Sequence, residues 1–472
     1  MSALLDGVEE LTARRFAKMR PFGGDAPPPI DTSGLPPGPR WPVLAQSAGL
    51  LRFRHQFVPW CHRRYGDVFT VRILPKGRPL VLFTRPEHAK EIFAGDPAVF
   101  HAGKGNAILG PIMGEHSLLL QDGAAHKRAR KLLMPAFNGH ALREYQALVT
   151  EVAAAEVARW RDGEEFRSLE RMNGLTLEVI LRVVFGVTDE ERLARLRPRV
   201  NRTVDVNPAV LLGWGYPRLQ KVGPWQATVE NAYVLDRLIY AEIRERRRAP
   251  DLDQRTDVLS QLIRGACPEE GGQRPSRRDD GGDRLTDEEL RDQLITLLLA
   301  GHETTASALA WTLHEVGRDP RQRARARAAA LDGDEEWLEA LLKEAMRLHP
   351  VIPMVVRTLM QPATIGGIDL PAGVTVGPSI LVAHARDENH PDPEVFRPER
   401  FIGQNPPTNT WIPFGGGVRR CIGAGFSLME GVAALREIFA SFDVETVGRD
   451  VPKVRNITSV PRRGSRIRVS SR

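Results

Sequence analysis

The stretch from Thr286 to about Val316 constrains the fold of this chain more than any other. Thr286, with Glu289 one helical turn later, is a capping-box start. The helix it opens can run about 30 residues, or ~45 Å at 1.5 Å per residue. Its middle, Leu294 to Ala300, is apolar on all sides, so the rod should cross a protein interior and not lie on a surface. A chain of 472 residues is long enough to bury it in a sizeable core.

Other segments arrange themselves around this rod. Val68 to Ile73 and Pro79 to Phe83 read as short strands about a turn at Lys76-Gly77, and helical periodicity dominates from about residue 86 to 345. Gly265 to Arg284 has almost nothing apolar and reads as a solvated loop. Short strands return after Val351. The run Leu35-Pro-Pro-Gly-Pro-Arg-Trp-Pro42 is stiff and extended, because proline fixes φ and lacks a donor. The folded body is expected to begin there, as one domain over 35–472 behind a short solvated leader, 1–34. In that leader Leu4, Leu5, Val8, Leu11 and Phe16 could form an amphipathic surface helix. Asp6, Glu9 and Glu10 interrupt it, so it is neither a secretory signal nor a membrane span.

Ala300-Gly-His-Glu-Thr-Thr305 breaks the apolar rod with a glycine, an acid and two hydroxyls. Gly301 can open a groove where a side chain would block a ligand, and Thr304 can bond backward to a carbonyl and distort the helix locally. Glu303 beside Thr304 sets a proton source next to a hydroxyl. A capped kink with a satisfied polar pair fits the same residues. The direction of His302 is left open by helix geometry.

A second unusual segment is Phe414-Gly-Gly-Gly-Val-Arg-Arg-Cys-Ile-Gly423. Its glycines allow a tight turn and close approach by a flat ligand. The helix-periodic residues that follow set Cys421 just ahead of a helix amino terminus, where the macrodipole and free amides favour thiolate. The chain holds only 3 cysteines, Cys61, Cys267 and Cys421, which argues for a reducing compartment and against a disulfide scaffold. No cysteine or histidine sits at zinc spacing from Cys421. A buried inert cysteine behind a glycine turn remains the alternative reading of the loop alone.

Glu344-Ala-Met-Arg347 places opposite charges one helical turn apart, and Arg400 in Pro398-Glu-Arg-Phe401 adds a third. Such pairs are usually exposed and worth little; if buried, removal of one partner is costly. The balance of 66 basic against 59 acidic residues gives a net charge of +7. Arginine supplies most of the excess, acids are interspersed, and no nucleic-acid motif appears, so no nucleic-acid partner is expected.

In this order, these segments resemble the cytochrome P-450 superfamily of haem-thiolate monooxygenases, from about Leu35 to the carboxyl terminus. Phe414, Gly417, Arg419, Cys421 and Gly423 fit its cysteine-loop signature. Gly301, Glu303 and Thr304 fit its oxygen-activation motif, and Glu344, Arg347 and Arg400 its structural charge triad. The resemblance implies a mainly α fold with small β-sheets, in which haem b (iron protoporphyrin IX) lies between the long helix and the cysteine loop. Cys421 would be the axial thiolate, with amides around Ile422 and Gly423 tuning it and Phe414 packed beside it. Thr304 and Glu303 would guide protons to the oxygen being activated. His126, Arg130, Arg357 and Arg419 match positions that pair the haem propionates. Many relatives have tryptophan at the first and histidine at the last, so those two contacts are departures.

The same resemblance assigns pocket walls to Ile108, Leu109, Ile112 and Met113, to Leu297 and Ala300, and to Val351, Val355 and Val356, with a further turn near Ile457 to Val460. This aliphatic lining implies a hydrophobic substrate such as a fatty acid, terpenoid, steroid or polyketide. Lys127, Arg128, Lys131 and Arg420 form a basic patch suited to an acidic ferredoxin or flavodoxin, served in turn by a separate reductase; a solvated charged face fits them too. A monomer acting on O2 in the cytoplasm is expected, with peripheral membrane contact as the variant. A peroxide-driven or isomerising enzyme commonly lacks the acid and alcohol pair, and a haem sensor usually brings an output domain. Both are therefore secondary readings.

Overall fold

The computed structural model describes residues 8, 10–12, 30–74, 77–186, 189–205, 210, 218–265 and 284–471. Helices and small sheets alternate in chain order. They run α1 (Val43–Arg52), α2 (Arg54–Tyr65), β1 (Val68–Ile73), β2 (Arg78–Phe83), α3 (Pro86–Ala94) and β3 (Phe100–His101). Next come α4 (Gly123–Leu133), α5 (Gly139–Val157), β4 (Glu165–Arg167), α6 (Ser168–Phe185), α7 (Glu190–Val204), α8 (Gly223–Arg247) and α9 (Val258–Arg264). Beyond several short helical turns, the chain continues with α10 (Asp287–Arg318), α11 (Pro320–Asp332), α12 (Glu335–Leu348), β5 (Arg357–Leu359), β6 (Ala363–Ile365), β7 (Ile368–Leu370), β8 (Thr375–Pro378), α13 (Ala424–Ser441), β9 (Phe442–Thr446), β10 (Pro452–Arg455), β11 (Thr458–Pro461) and β12 (Arg466–Ser471). Among the described residues no helix is long and apolar enough to cross a membrane. Lys76, most of Gly265–Arg284 and the leader residues Leu4, Leu5 and Phe16 lie outside the described residues.

The chain divides into two compact units, and α5, α6 and α10 contribute residues to both. The larger unit, 25–105, 146–176 and 303–472, holds the sheets. Its five-stranded sheet runs β1-β2-β8-β5-β3, parallel at β2–β8 and antiparallel at the other steps. Strands β4-β12-β9 form a second sheet, and β10–β11 and β6–β7 are hairpins. One face of β1 and β2 buries Phe69, Val71, Leu80 and Leu82 against Phe57, Val58 and Cys61 of α2. In β2 the opposite face is buried as well, with Val81 and Phe83 packed in a second cluster. In α12, Trp337, Leu338, Leu341, Leu342 and Ala345 recur at helical spacing and are buried, and Asp334 caps its first turn by accepting from Trp337 N.

The smaller unit, 1–24, 106–145 and 177–302, is helical and has a charged centre. The capping box exists as read: Thr286 N donates to Glu289 Oε2 at 2.9 Å, and Glu289 N donates to Thr286 Oγ1 at 3.1 Å. One turn on, the buried Arg291 guanidinium donates to Asp236 Oδ1 (2.7 Å), Asp292 Oδ1 (2.8 Å) and the carbonyls of Met113 and Ile112. Asp292 also accepts from His116 N at 3.0 Å. The leader departs from a purely solvated reading, since Val8 and Thr12 are buried and Thr12 Oγ1 donates to Asp236 Oδ2 at 2.8 Å. A buried carboxylate needs its lone pairs filled, and Thr12 fills one that Arg291 leaves.

Candidate active site

The cysteine loop is shaped by local hydrogen bonds and by one aromatic ring. Cys421 N donates to Phe414 O at 2.9 Å, Gly415 N to Ile412 O at 3.0 Å, and Arg420 N to Gly417 O at 3.0 Å. Gly417 takes a φ of 63°, a conformation costly for residues with a Cβ. A Cβ at Gly416 would enter the Phe93 ring, and one at Gly417 would strike the Phe93 carbonyl. The glycines thus let the loop lie directly on the end of α3. Phe414 meets Trp411 edge-on at 5.9 Å, and the Trp411 indole N–H donates to Lys343 O at 3.2 Å.

Cys421 is exposed and sits just ahead of α13, whose N-cap is Gly423. That position favours the thiolate. Cys61 is the opposite case: it is buried, and loss of hydration pushes its thiol up to about 12, which suits a packing residue.

The α10 side of the same unit supplies the acid and the hydroxyls. Glu303 is buried, with Arg455 Nε 3.2 Å from its Oε1. Thr304 is half-buried, and Thr305 Oγ1 lies 3.0 Å from Ser427 Oγ on α13. This hydroxyl pair ties the helix that follows Cys421 to the helix that carries Glu303 and Thr304. One turn beyond Ser427, Glu430 is fully buried, and desolvation holds its carboxyl well above the usual carboxylate range while the Thr305 hydroxyl offsets this in part. His302, in the smaller unit, is buried with Nδ1 2.8 Å from Leu298 O of its own helix. A Cβ at Gly301 would stand 2.9 Å from Ile180 Cδ1, which gives that glycine a packing reason.

The charge triad is buried. Arg347 donates from Nε to Glu344 Oε2 (2.7 Å) and from Nη2 to Glu344 Oε1 (2.8 Å). Arg400 Nε donates to Glu344 Oε1 at 3.3 Å, and Arg397 N to the same oxygen at 2.9 Å. Arg347 also donates to the carbonyls of His384, Pro393 and Val395. With Glu344 at 0% and Arg347 at 1% side-chain exposure, the pair specifies how the chain after α12 is laid down.

The remaining sequence-derived residues fall into two groups. In the larger unit, Arg357 is buried at the start of β5 with Nη1 on Val356 O at 2.8 Å, Arg419 is partly buried on the turn Gly417–Arg419, Val351 is buried, and Val355 and Val356 are half-buried. In the smaller unit, His126 is buried and Arg130 half-buried on α4, Leu109, Ile112, Met113 and Leu297 are buried, Ile108 is half-buried, and Ala300 is exposed. Within the expected basic patch, Lys127, Lys131 and Arg420 are exposed. Arg128 instead donates to Glu289 Oε1 at 2.7 Å and to Arg284 O, which neutralises much of its field.

The donor set fits the haem that the resemblance implies. An exposed thiol at a helix amino terminus could hold the iron, and the guanidinium of buried Arg357 would suit a carboxylate partner. Among the described residues no group of three or more His, Cys, Asp or Glu side chains could hold a bare metal ion. Several residues that build the site carry no local sequence signal: His384 and His390 beneath the loop, Arg455 beside Glu303, and Arg54 behind Arg455.

Comparisons with known proteins place the chain in a family. The sequence model of the family described as Cytochrome P450 matches residues 35–467. The chain is 50% identical over 441 residues to "Putative cytochrome P450 135A1" of Mycobacterium tuberculosis, covering 93% of this chain and 96% of that protein. It is 41% identical over 444 residues to "Putative cytochrome P450 135B1" of Mycobacterium bovis, covering 92% and 91%. The solved structure titled "Retinoic acid bound cyanobacterial CYP120A1" shares the fold, with a TM-score of 0.77 and 24% identity over 93% of this chain and 100% of that one.

Proposed function

The chain belongs to the cytochrome P450 family, and from that premise we propose that it hydroxylates or epoxidises a hydrophobic small molecule with O2, drawing electrons from a separate ferredoxin or flavodoxin and its reductase. Haem b, ligated by a cysteine thiolate in this family, supplies the iron at which O2 is activated. In this reading Cys421 is that ligand, and Arg357, Arg419, His126 and Arg130 pair its propionates. Phe414, Gly417 and Gly423 shape the backbone around the sulfur.

The observation that carries the reading is the 3.0 Å contact between Thr305 and Ser427. It fastens the acid and alcohol pair to the helix launched from the cysteine loop. Thr304 then presents a hydroxyl proton, and Glu303 resupplies it, which is general acid work by a positioned pair. Ile108, Leu109, Ile112, Met113, Leu297, Ala300, Val351, Val355 and Val356 are assigned to a lining that binds the substrate by burial of apolar surface. We read 35–472 as one catalytic domain, acting as a monomer in a reducing compartment, as the sparse cysteine content supports.

The test compares product formation with a ferredoxin and reductase system against peroxide alone, on lipophilic compounds chosen by their effect on the haem spin state. Turnover with the electron system, and diversion of electrons to peroxide in Thr304→Ala, is the expected result. Full coupling in Thr304→Ala, or turnover with peroxide only, removes the proposal.

A further inference from the structure

Glu303 is buried, so its ionised form depends on the charge placed beside it. That charge comes from Arg455, the last residue of β10, whose Nε stands 3.2 Å from Glu303 Oε1. The Arg455 side chain is 22% exposed while that of Glu303 is 4% exposed. The guanidinium therefore spans from the buried acid toward solvent.

The hairpin that carries Arg455 is built to hold it still. Arg455 pairs with Thr458 across β10–β11, and Thr458 Oγ1 donates to Arg455 O at 2.7 Å. At the turn, Asn456 takes a φ of 55°, a left-handed conformation that needs support in a residue with a side chain. The support is the buried Arg54, which donates from Nη2 to Asn456 O (3.3 Å) and from Nη1 to Ile457 O (3.0 Å). Burial pushes the Arg54 guanidinium down to about 10, which leaves it charged at neutral pH. Strand β11 is pinned in turn by Ser459 N on Val351 O at 2.8 Å and by His55 Nε2 on Ser459 Oγ at 2.9 Å.

We infer that Arg455 is the positioning residue of the proton relay: it keeps the Glu303 carboxylate ionised and aimed, so that Glu303 can accept a proton and return it to Thr304. This rests on the reading of Glu303 and Thr304 as the relay pair. Desolvation favours the neutral acid and a nearby opposite charge favours the anion. With the guanidinium removed, that opposing charge is lost, desolvation shifts Glu303 toward the neutral acid, and its cycling slows.

The test uses the haem-loaded protein at pH 7 and reads infrared difference spectra against Glu303→Gln in each background. In the wild type the Glu303 difference should be a carboxylate band. In Arg455→Met it should move to the carboxylic-acid carbonyl band, and Arg455→Lys should restore the carboxylate. Arg455→Gln replaces the Met variant if the latter does not accumulate. A carboxylate band that survives in Arg455→Met or Arg455→Gln, or that Arg455→Lys fails to restore, overturns the inference. Peroxide released per electron pair is the second readout, with the lipophile of largest spin-state effect as probe. Arg455→Met should match Glu303→Gln within twofold, and the double variant should be no worse than Glu303→Gln alone. Peroxide release in Arg455→Met at the wild-type level, beside raised release in Glu303→Gln, also overturns it. If Glu303→Gln itself releases no more peroxide than wild type, the relay reading fails while the infrared result still decides the role of Arg455 on the carboxylate.

Discussion

Nε2 of His384 accepts the backbone N–H of Ile412 at 2.9 Å, and the carbonyl of the same histidine accepts from Arg347 Nη1 at 3.1 Å. One buried residue thus joins the charge triad to the chain that leads into the cysteine loop. Burial holds the His384 imidazole well below its ordinary pKa, so it remains neutral and Nε2 remains an acceptor. His384→Leu keeps the bulk and orphans the Ile412 N–H. Urea denaturation should show a loss of about 2 kcal/mol, and the haem content of purified protein should fall with it.

Arg347→Met leaves Glu344 buried without its two-pronged partner and takes donors from three carbonyls. Breaking a buried pair in this way costs about 3–5 kcal/mol, so little folded haem protein should accumulate. Arg347→Lys should not rescue, because a single ammonium cannot reproduce the fork that reaches Glu344 and the carbonyls together. The yield of haem protein per total chain measures both.

Acid should weaken the fold through its buried histidines. Burial brings His55, His314 and His390 down to about 4, against an ordinary value near 6.5. The unfolded chain binds protons at these sites first, so stability is complete above about pH 6.5 and is lost as the pH falls toward 4. Denaturant midpoints measured from pH 8 to 4.5 should decline across that window, and His390→Gln should flatten the decline.

Glu430 should act with the opposite sign. Its folded-state carboxyl is raised by burial, so its contribution is fully present below about pH 4.5, the unfolded value, and is lost as pH rises through the folded value. Glu430→Gln removes this dependence. The variant should gain on wild type in denaturant midpoint as pH rises from 4.5 to 8; parallel curves would contradict a neutral Glu430.

The legible features were those written in short spacing. The capping box at Thr286 and Glu289, the strand pair read at Val68–Ile73 and Pro79–Phe83, and the long helix read to about Val316 follow from neighbouring residues; the structure shows the box, strands Val68–Ile73 and Arg78–Phe83, and a helix that ends at Arg318. Helix α4 opens at Gly123, and a glycine there gives no periodic signal. The Glu344 and Arg347 pair was visible, but its burial was not, because burial is decided by the chain around His384, Pro393 and Val395. Arg455 beside Glu303 and Arg291 beside Asp236 were invisible for a related reason: each partner lies on an element remote in sequence, and a lone charge in a strand or helix reads as solvated until folding supplies its counterpart.

The seat of the cysteine loop on Phe93 also bears on how this protein can be re-engineered. Ring and glycines interlock, with no room at Gly416 or Gly417 for even a methyl group. A loop grafted from a relative would bring its own sulfur but not the aromatic ring on which these glycines lie. Exchange of such loops between homologues should therefore succeed only when the end of α3 travels with them as one cassette.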